Sequence, residues 1–321
     1  MTNNLCPACY TENSINLESI DLELQHAFYS PGNVAVQNEL TKAISLSSQG
    51  YKMLKCTNCG LEYASPLVSP DTDWYGIAYK ALSLYPAERW EFNYVLNHLQ
   101  SSDLIAELGC GVGFFLKKCK SKKINCHGFD FSKDVIDKCL TDNLTVSLMD
   151  LSNTNSTDNF LEKSKFNSIV SFHVLEHLDN PSQLFNFAWR HSLENADLWI
   201  SVPSDKRLTR LFQEQDFLDQ PPHHLTRWNA NSLEKIGHHN GWDLKEIIYE
   251  PISLKQILWS YSTRFFIYKK IKNKYKNLDI LIDRIFRYSL YPFALIWWLI
   301  TRNKITGFTM LAKYSKNKTF Q

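Results

Sequence analysis

The middle of the chain, from about residue 88 to residue 251, alternates between two hydrophobic patterns. One is a short, nearly continuous apolar run, which is typical of a strand buried in a parallel sheet. Such runs are LIAEL (104–108), NCHGFD (125–130), LTVSLMD (144–150), NSIVSFH (167–173) and ADLWISVP (196–203). The other is an amphipathic stretch typical of a helix, as in FFLKKCKSK and PSQLFNFAWRHSL. The alternation predicts βαβ units and a doubly wound α/β domain with a parallel sheet.

The pattern changes on either side of this region. Residues 1–72 combine short mixed segments with two cysteine pairs, whereas residues 252–306 are basic, aromatic and typical of helices. Residues 307–321 begin with GFTMLAKYSK, which again has the pattern of a strand. We therefore expect an N-terminal cysteine-containing region (1–72), an α/β domain (73–251), a helical insertion (252–306), and the last strand of the sheet with a short tail (307–321).

Composition is that of a folded soluble protein, because 44% of the 321 residues are hydrophobic and 21% are charged. The first residues, MTNNLCPACY, have neither the basic nor the apolar part of a secretory signal. The longest membrane candidate, residues 288–300, is shorter than the roughly 18–20 apolar residues of a spanning helix and is interrupted by Pro292. We therefore expect a cytoplasmic protein with reduced cysteines.

Three glycines at alternate positions follow the first apolar run, in LIAELGCGVGFF. Ligands of doubly wound sheets bind beyond the carboxyl ends of the strands, so Gly109, Gly111 and Gly113 predict a ligand-binding loop. A dinucleotide loop would need a glycine where Phe114 stands, a P-loop would need a following Lys-Ser/Thr pair, and Glu107 would repel phosphates. S-adenosylmethionine carries no phosphate, and its ammonium, sulfonium and carboxylate suit Glu107 and the amides at the start of a helix. The alternative is that the glycines only form a tight turn and the acids are solvated.

Acidic residues also end the next two predicted strands. Asp130 in HGFDFS lies where a carboxylate can accept hydrogen bonds from both hydroxyls of a ribose. Asp150 in LMDLS lies where it can accept the adenine amino group, and Phe131 directly follows Asp130. Together with the glycine loop, these residues predict an S-adenosylmethionine site.

The four segments ELGCGVGFF, GFDFS, MDLS and SFHVLEHLDNP, in this order and spacing, resemble the class I S-adenosylmethionine-dependent methyltransferases. The resemblance covers roughly residues 88–251 and the final strand, and the set is far more specific than any one motif. It implies a Rossmann-like doubly wound sheet and transfer of a methyl group to an acceptor.

Two C-x-x-C pairs, Cys6 with Cys9 and Cys56 with Cys59, can offer four thiolates to a tetrahedral Zn²⁺ ion. Such a closed site has no open coordination position, so the predicted zinc site is structural. Some bacterial methyltransferases resemble this chain in carrying a zinc-binding segment before the catalytic domain. A redox dithiol would need only one pair, and a nucleic-acid-binding ribbon would bring more cations than Lys42, the one cation before Gly50. The other cysteines are expected to be ordinary buried or half-buried thiols: Cys110, Cys119, Cys126 and Cys139.

Methyl transfer to a hydroxyl or an acidic carbon needs a base, and histidine suits this task near neutral pH. His173 ends the fourth predicted strand beside the glycine loop. His223 and His224 follow two prolines in QPPHHLTRW, a segment expected over the acceptor pocket. These three histidines are the candidate bases. The alternative for His223 and His224 is that both only pack against Trp228.

Glu176 and His177 lie three and four residues after His173, on one face if a helix starts there. Some quinone-type O-methyltransferases resemble this stretch but hold a divalent ion with two carboxylates, the first of which is replaced here by His173. A catalytic metal is therefore left open, and His177 is expected to pack within the helix.

Charge is divided unevenly along the chain, although the formal net charge is +2. Residues 252–321 carry 14 Lys and Arg against 2 Asp and Glu, a net of +12, which leaves −10 for the remainder. The basic, aromatic stretch RFFIYKKIKNKYKN and the apolar stretch after it predict that residues 264–300 lie in the headgroup region of an anionic membrane. The alternative is a helical lid on the catalytic domain, with RNA binding a weaker third option.

These observations predict a cytoplasmic S-adenosylmethionine-dependent methyltransferase with a structural zinc site, in peripheral contact with the inner membrane face. The membrane signal and the resemblance to methyltransferases of bacterial surface-glycan pathways imply a sugar or lipid-linked glycan as the acceptor. Two alternatives stay open: a methyltransferase for a quinone or a natural-product phenol, and a non-catalytic cofactor-binding adaptor or RNA-associated module. The sequence indicates no oligomeric state.

Overall fold

A computed structural model describes residues 5–30, 33–42, 50–70, 72–82, 87–151, 164–211, 216–258 and 279–320. The chain divides into two compact units. One comprises Met1–Pro203, Asp216–Ile248 and Leu311–Gln321, and the other comprises Ser204–Gln215 and Tyr249–Met310. The domain boundaries expected from the sequence, after residues 72, 251 and 306, stay predictions.

The described residues form eleven strands. In chain order they are β1 (Ser14–Ile20), β2 (Tyr51–Cys56), β3 (Glu62–Ser65), β4 (Leu104–Leu108), β5 (Asn125–Asp130), β6 (Val146–Leu148), β7 (Phe166–Phe172), β8 (Ser192–Pro203), β9 (Thr226–Arg227), β10 (Trp242–Pro251) and β11 (Thr306–Lys316). Each apolar run that the sequence singled out overlaps one of these strands.

Helices lie between most of the strands. They are α1 (Leu22–Tyr29), α2 (Val34–Lys42), α3 (Thr72–Leu82), α4 (Trp90–Leu96), α5 (Phe114–Ser121), α6 (Lys133–Thr141), α7 (Ser182–His191), α8 (Leu208–Leu211), α9 (Ala230–His239) and α10 (Asp279–Thr301). Two short 3-10 turns, Leu175–His177 and Phe217–Asp219, carry residues of the candidate site.

Seven strands form one sheet in the order β10-β11-β8-β7-β4-β5-β6. The pairs β4–β5, β4–β7, β5–β6 and β7–β8 are parallel. From β4 the chain proceeds to β5 and β6 on one side and then returns to β7 and β8 on the other, which confirms the predicted doubly wound α/β fold. The order of the strands therefore reverses between β4 and β7, and a ligand is expected beyond their carboxyl ends.

The strands of this sheet are anchored by a large apolar core. Side chains from α4, α5, β4, β7, β8 and β11 pack together: Phe92, Val95, Leu96, Ile105, Phe115, Cys119, Ile124, Val170, Phe172, Trp199 and Leu311. Full burial of one such side chain contributes about 1.5–3 kcal/mol. The ends of β4 and β7, where the candidate site lies, are thus fixed by packing beneath them.

A second sheet has four antiparallel strands in the order β1-β2-β3-β9. Its last strand contributes two residues, and Arg227 of this strand pairs with Glu62 of β3. Ile20, Met53 and Leu225 pack in its core. The small sheet thereby joins the N-terminal cysteine-containing region to the segment that precedes α9.

In the second unit, one face of α10 packs against the core of that unit. Ala294 is fully buried, and Nε1 of Trp298 donates a hydrogen bond of 2.8 Å to the carbonyl of Ile252. Among the described residues, no helix combines the length and the apolar character needed to cross a membrane. Of the predicted membrane segment, residues 264–278 lie outside the described residues.

Candidate active site

The turn between β4 and α5 contains the three glycines, whose φ angles are +72° at Gly109, +49° at Gly111 and +76° at Gly113. A Cβ atom at Gly109 would collide with the side chain of Val174, and one at Gly113 with that of Leu144. Glycine is therefore the residue that this backbone admits at both positions. Gly113 directly precedes α5, so the turn presents backbone amides at the start of a helix, where a carboxylate group is favourable.

Asp130, the last residue of β5, holds this turn in place. Its Oδ2 accepts a hydrogen bond of 2.9 Å from the amide of Gly111, and its Oδ1 accepts one of 3.0 Å from the amide of Ser132. Burial raises the pKa of Asp130, although these backbone hydrogen bonds oppose the shift. A carboxylate oxygen can accept a second hydrogen bond, so Asp130 can still bind ribose hydroxyls while it holds the turn.

Glu107 lies in β4, one residue before the end of the strand, and is 3% exposed. Its Oε2 has no hydrogen-bond partner among the described residues. Burial raises the pKa of Glu107 well above the ordinary range, and the nearby Asp130 raises it further. A buried carboxyl group with an open oxygen beside the glycine turn suits a ligand that brings a positive charge. The residues present therefore fit S-adenosylmethionine.

Two further predicted cofactor residues lie at the same edge of the sheet. Phe131 follows β5 and is 44% exposed, and Asp150 is an exposed residue shortly after the end of β6. Because β4, β5 and β6 are parallel neighbours, their carboxyl ends adjoin one another. The contacts of these residues with a cofactor stay a prediction.

His173 is the first residue after β7 and adopts a left-handed backbone with a φ angle of +55°. Its Nδ1 lies 3.1 Å from Oε1 of Glu176, and its Nε2 lies 3.3 Å from Oε1 of Glu91. Burial and Arg89 oppose a charged ring, but the two carboxylates outweigh them and raise the pKa of His173. Val174 packs against Gly109, so His173 lies beside the glycine turn.

Glu91 is a site residue that the sequence did not indicate. It comes from α4, is 1% exposed and also lies 3.5 Å from the guanidinium of Arg89. Burial alone would raise its pKa, but His173 and Arg89 bring the pKa below its ordinary value. The side chain stands in an ordinary amphipathic helix with no motif around it, so only the tertiary structure reveals its pairing with His173.

Glu176 is fully buried between His173 and two other histidines. Its Oε1 lies 4.0 Å from Nε2 of His224 as well as 3.1 Å from His173. Burial opposes its charge, yet the neighbouring imidazoles of His173, His177 and His224 lower the pKa of Glu176 to about 2. It is therefore an ionised carboxylate at the centre of the site.

No α-helix starts at His173, so the condition under which Glu176 and His177 would share one helical face is not met. Residues Leu175–His177 form a single 3-10 turn, Leu178 is extended, and α7 begins at Ser182. Pro181 disfavours helical backbone at Asn180, the residue that precedes it. The short turn still brings Glu176 and His173 together.

His177, His223 and His224 form a compact group, which we call the imidazole cluster. The ring centroids are 4.8 Å apart between His177 and each of the other two, and 4.6 Å apart between His223 and His224. Nδ1 of His177 donates to the carbonyl of His223 over 2.6 Å, and Nδ1 of His223 donates to the carbonyl of Leu218 over 2.8 Å. Burial and the neighbouring rings lower the pKa of His177 to about 4 and that of His223 well below its ordinary value. Both rings are thus neutral at physiological pH.

Aromatic side chains of α3 connect the cofactor edge with the imidazole cluster. The ring of Tyr75 lies 6.2 Å from that of Phe131 and 5.8 Å from that of His177. The ring of Trp74 lies 6.2 Å from that of His223. One aromatic ring therefore separates the predicted cofactor residue Phe131 from the cluster. The sequence did not indicate Trp74 or Tyr75 as site residues.

Asp219 and Arg227 fix the orientation of His224. Nδ1 of His224 lies 3.2 Å from Oδ1 of Asp219, and Nε of Arg227 lies 3.2 Å from Oδ2 of the same carboxylate. The guanidinium also lies 3.3 Å from Glu18 and from Glu62, which belong to β1 and β3. Glu18 and Glu62 of the N-terminal sheet thus position Arg227, and Arg227 in turn positions the carboxylate of Asp219 beside His224.

The two predicted knuckles bring four buried thiols together. Sγ of Cys6 lies 3.5 Å from Sγ of Cys59, and Sγ of Cys9 lies 3.5 Å from Sγ of Cys56. A tetrahedral zinc ion with bonds of about 2.3 Å would hold its sulfur ligands about 3.8 Å apart. Gly60 follows the second knuckle with a φ angle of +76°. The four-cysteine cluster is therefore compatible with a zinc-binding segment.

Comparison with known proteins found one matching family model. Residues 91–247 match a family model described as a methyltransferase domain. No protein with a curated description matches the chain.

Several solved structures are similar to the chain. A SAM dependent methyltransferase from Archaeoglobus fulgidus is 17% identical, with a TM-score of 0.46 and coverage of 70% of this chain and 91% of that one. Phosphoethanolamine N-methyltransferase 2 of Haemonchus contortus, in complex with S-adenosyl-L-methionine, is 15% identical, with a TM-score of 0.45 and coverage of 71% and 53%. Magnesium protoporphyrin IX methyltransferase of Synechocystis PCC 6803 is 13% identical, with a TM-score of 0.43 and coverage of 71% and 80%.

Proposed function

We propose, on the premise that residues 91–247 of this chain belong to the S-adenosylmethionine-dependent class I methyltransferases, that it methylates a sugar or a lipid-linked glycan. The observation that carries the proposal is the adjacency of two features at the reversal of the sheet. The glycine turn with the open carboxyl group of Glu107 follows β4, and the pair of His173 and Glu176 follows the neighbouring β7. A cationic donor and a base would meet at this edge.

The cofactor would be held along the ends of β4, β5 and β6. The residues assigned to it are Glu107, Gly109, Gly111, Gly113, Asp130, Phe131 and Asp150. When bound, S-adenosylmethionine supplies an electrophilic methyl group on a sulfonium sulfur. The chain contributes alignment of the acceptor with that group and removal of a proton from the acceptor.

We assign proton removal to His173, the predicted base that adjoins the glycine turn. Glu176 accepts a hydrogen bond from Nδ1–H of the ring and would stabilise the imidazolium that forms, as a carboxylate does beside a catalytic histidine. Nε2 is then the nitrogen that takes the proton from the acceptor. Glu91 lies 3.3 Å from Nε2. Its negative charge would influence the pH at which the ring loses its own proton, a step that must precede proton transfer from the acceptor.

His223 and His224, the other predicted bases, would hold the acceptor oxygen. Rings with fixed orientations suit this task, because Leu218 and Asp219 bind their Nδ1 atoms. Tyr75 and Trp74 add aromatic surface beside the cluster, on which the apolar face of a sugar ring can pack.

A lipid-linked acceptor is supported by the exposed surface of α10 in the second unit. Phe293 and Ile300 are each 69% exposed and Ile296 is 57% exposed, and these three lie on one side of the helix. The basic composition of residues 252–321 would attract anionic headgroups. We propose that this face touches an anionic membrane surface.

The four-cysteine cluster would hold a structural zinc ion. All four thiols are buried and come from two knuckles at the ends of paired segments of the N-terminal sheet. Zinc binding would deprotonate the thiols and stabilise the sheet that supports Arg227.

Methyl-labelled cofactor tests the proposed reaction. The purified chain and labelled S-adenosylmethionine are incubated with a lysate of the source cell, and the labelled product is identified. We expect label in a sugar or lipid-linked glycan, lost in His173→Gln and retained in His238→Gln, an exposed histidine outside the site. Label in a quinone or phenol would overturn the acceptor class. Tight cofactor binding without any labelled product would favour the adaptor instead.

Vesicle binding tests the membrane contact separately. We expect the chain to sediment with anionic vesicles, and Ile296→Gln combined with Ile300→Gln to weaken this. Leu17→Gln, which changes an exposed leucine of β1, is the matched control. Equal binding by all three proteins would refute the role of α10.

A further inference from the structure

We infer that His177, His223 and His224 bind a divalent transition-metal ion, at a site separate from the four-cysteine cluster. The inference rests on the proposed function, because the ion would lie where the acceptor oxygen is expected. Three observations carry it: the convergence of the ring nitrogens, the way each ring is held, and the buried carboxylates around them.

The convergence is close to that of a metal site. One ring nitrogen from each of the three residues lies within 4.8 Å of the other two. An ion with bonds of about 2.0–2.1 Å in tetrahedral geometry would hold its nitrogen ligands about 3.4 Å apart. Small rotations of the rings would close the remaining gap. His223 and His224 come from one rigid turn after two prolines, and His177 comes from the 3-10 turn that faces it.

Each ring is held as metal-binding histidines usually are. A histidine that binds a metal through Nε2 donates its Nδ1–H to a carbonyl or a carboxylate, which fixes both tautomer and orientation. His177 donates in this way to the carbonyl of His223, and His223 to the carbonyl of Leu218. Nδ1 of His224 lies 3.2 Å from Asp219. With Nδ1 protonated on each ring, the lone pair that can bind an ion lies on Nε2.

The surrounding charge favours a cation. Glu176 is fully buried, its Oε1 lies 4.0 Å from Nε2 of His224, and its Oε2 has no hydrogen-bond partner among the described residues. Asp219 is 3% exposed and lies on the other side of His224. Neutral imidazole ligands with a nearby carboxylate suit zinc, iron, cobalt or nickel, whereas magnesium and calcium prefer oxygen ligands.

An ion at this place would change how the acceptor is activated. Three imidazole ligands leave at least one coordination position open, unlike the closed four-thiolate site. A hydroxyl group of the acceptor bound there would lose its proton more readily, as metal-bound water does. The ion would thus mediate the contact of His223 and His224 with the acceptor oxygen, while His173 takes the proton.

Metal content separates this site from the cysteine site. The full chain is stripped with a chelator, incubated with Zn²⁺ or Co²⁺, desalted and analysed by elemental mass spectrometry. We expect two ions per chain for the wild type and for His238→Gln, and one ion for His177→Gln, His223→Gln and His224→Gln. Folding of each variant is checked by its thermal unfolding and by its affinity for S-adenosylmethionine, which should be retained.

The absorption spectrum of the Co²⁺ protein gives a second readout. The cysteine site should give strong sulfur-to-metal charge transfer, and the imidazole cluster should add weaker visible bands that only the three histidine variants lose. One ion per chain in the wild type, with a spectrum that the histidine variants leave unchanged, would overturn the inference. In that case labelled product can still form and the proposed function stands. Two ions without any labelled product would instead refute the function and leave the metal site.

Discussion

Nε2 of His173 lies 3.3 Å from a carboxylate oxygen of Glu91, although α4 and β7 are distant in the sequence. Glu176 and Glu91 raise the pKa of His173, so the ring becomes a base only as the pH rises through that raised pKa. Methyl transfer should therefore increase with pH above the range of an ordinary histidine.

Replacing Glu91 with Gln should shift the pH dependence of methyl transfer. Loss of the carboxylate lowers the pKa of His173, so the rise in rate should shift to lower pH. The measurement is the initial rate of methyl transfer across the pH range. Glu88→Gln, which removes an exposed carboxylate that pairs with Lys118, is the control and should leave the profile in place. An unmoved profile in Glu91→Gln would exclude His173 as the titrating base.

Cofactor binding should release a proton from Glu107. Burial raises the pKa of this carboxyl group in the free protein, and a bound cation lowers it, so affinity should increase as the pH rises. Calorimetry in two buffers of different ionisation enthalpy measures the release. Glu107→Gln should abolish the buffer dependence and weaken binding by roughly ten- to hundredfold. Heats that do not depend on the buffer in the wild type would contradict the placement of the cation.

A methyl group at Gly109 should disable the glycine turn. Its φ angle is +72°, and the added Cβ would collide with Val174, so Gly109→Ala should cost about 1–3 kcal/mol in strain. We expect a matching loss of affinity for S-adenosylmethionine, measured by calorimetry, together with a lower Tm. Gly76→Ala is the control, because its Cβ meets nothing within 4 Å and alanine favours α3. Normal cofactor affinity in Gly109→Ala would show that the turn does not bind the cofactor.

Removing one thiol from the four-cysteine cluster should release zinc. Cys56→Ser leaves three thiolates, so we expect one zinc ion fewer per chain and a Tm lower by about 5–10 °C. Elemental analysis and thermal unfolding measure the two effects. Cys126→Ala, which changes a half-buried thiol elsewhere in the same unit, should keep the zinc content of the wild type. If Cys56→Ser retained its full zinc content, the cluster would not be the zinc site.

Local sequence patterns were sufficient to predict the strands of the parallel sheet and the glycine turn. Strands buried in a parallel sheet have continuous apolar runs, and positive φ angles favour glycine, so β4 and Gly109 leave a signal within a few residues. The order of the strands then determines which strand ends adjoin. Asp130 was expected at the edge of the sheet for the same reason, although its bond to Gly111 was not.

No local sequence pattern indicated which residues contact the histidines. Glu91 reaches His173 from a helix before the sheet, and Tyr75 reaches His177 from α3, through contacts that depend on packing rather than on spacing. His177 was expected to pack within a helix, yet it faces His223 from a 3-10 turn. The motifs thus singled out His173, His223 and His224 as candidates, but did not indicate that His177 lies beside His223 and His224.

The bond between Arg227 and Asp219 has a consequence for biogenesis. The four-stranded sheet is completed by β9, so a nascent chain cannot finish this sheet until the ribosome has released residue 227. Until then Glu18 and Glu62 lack the guanidinium that they share. Assembly of the earliest part of the chain and ordering of His224 would therefore occur as one late event.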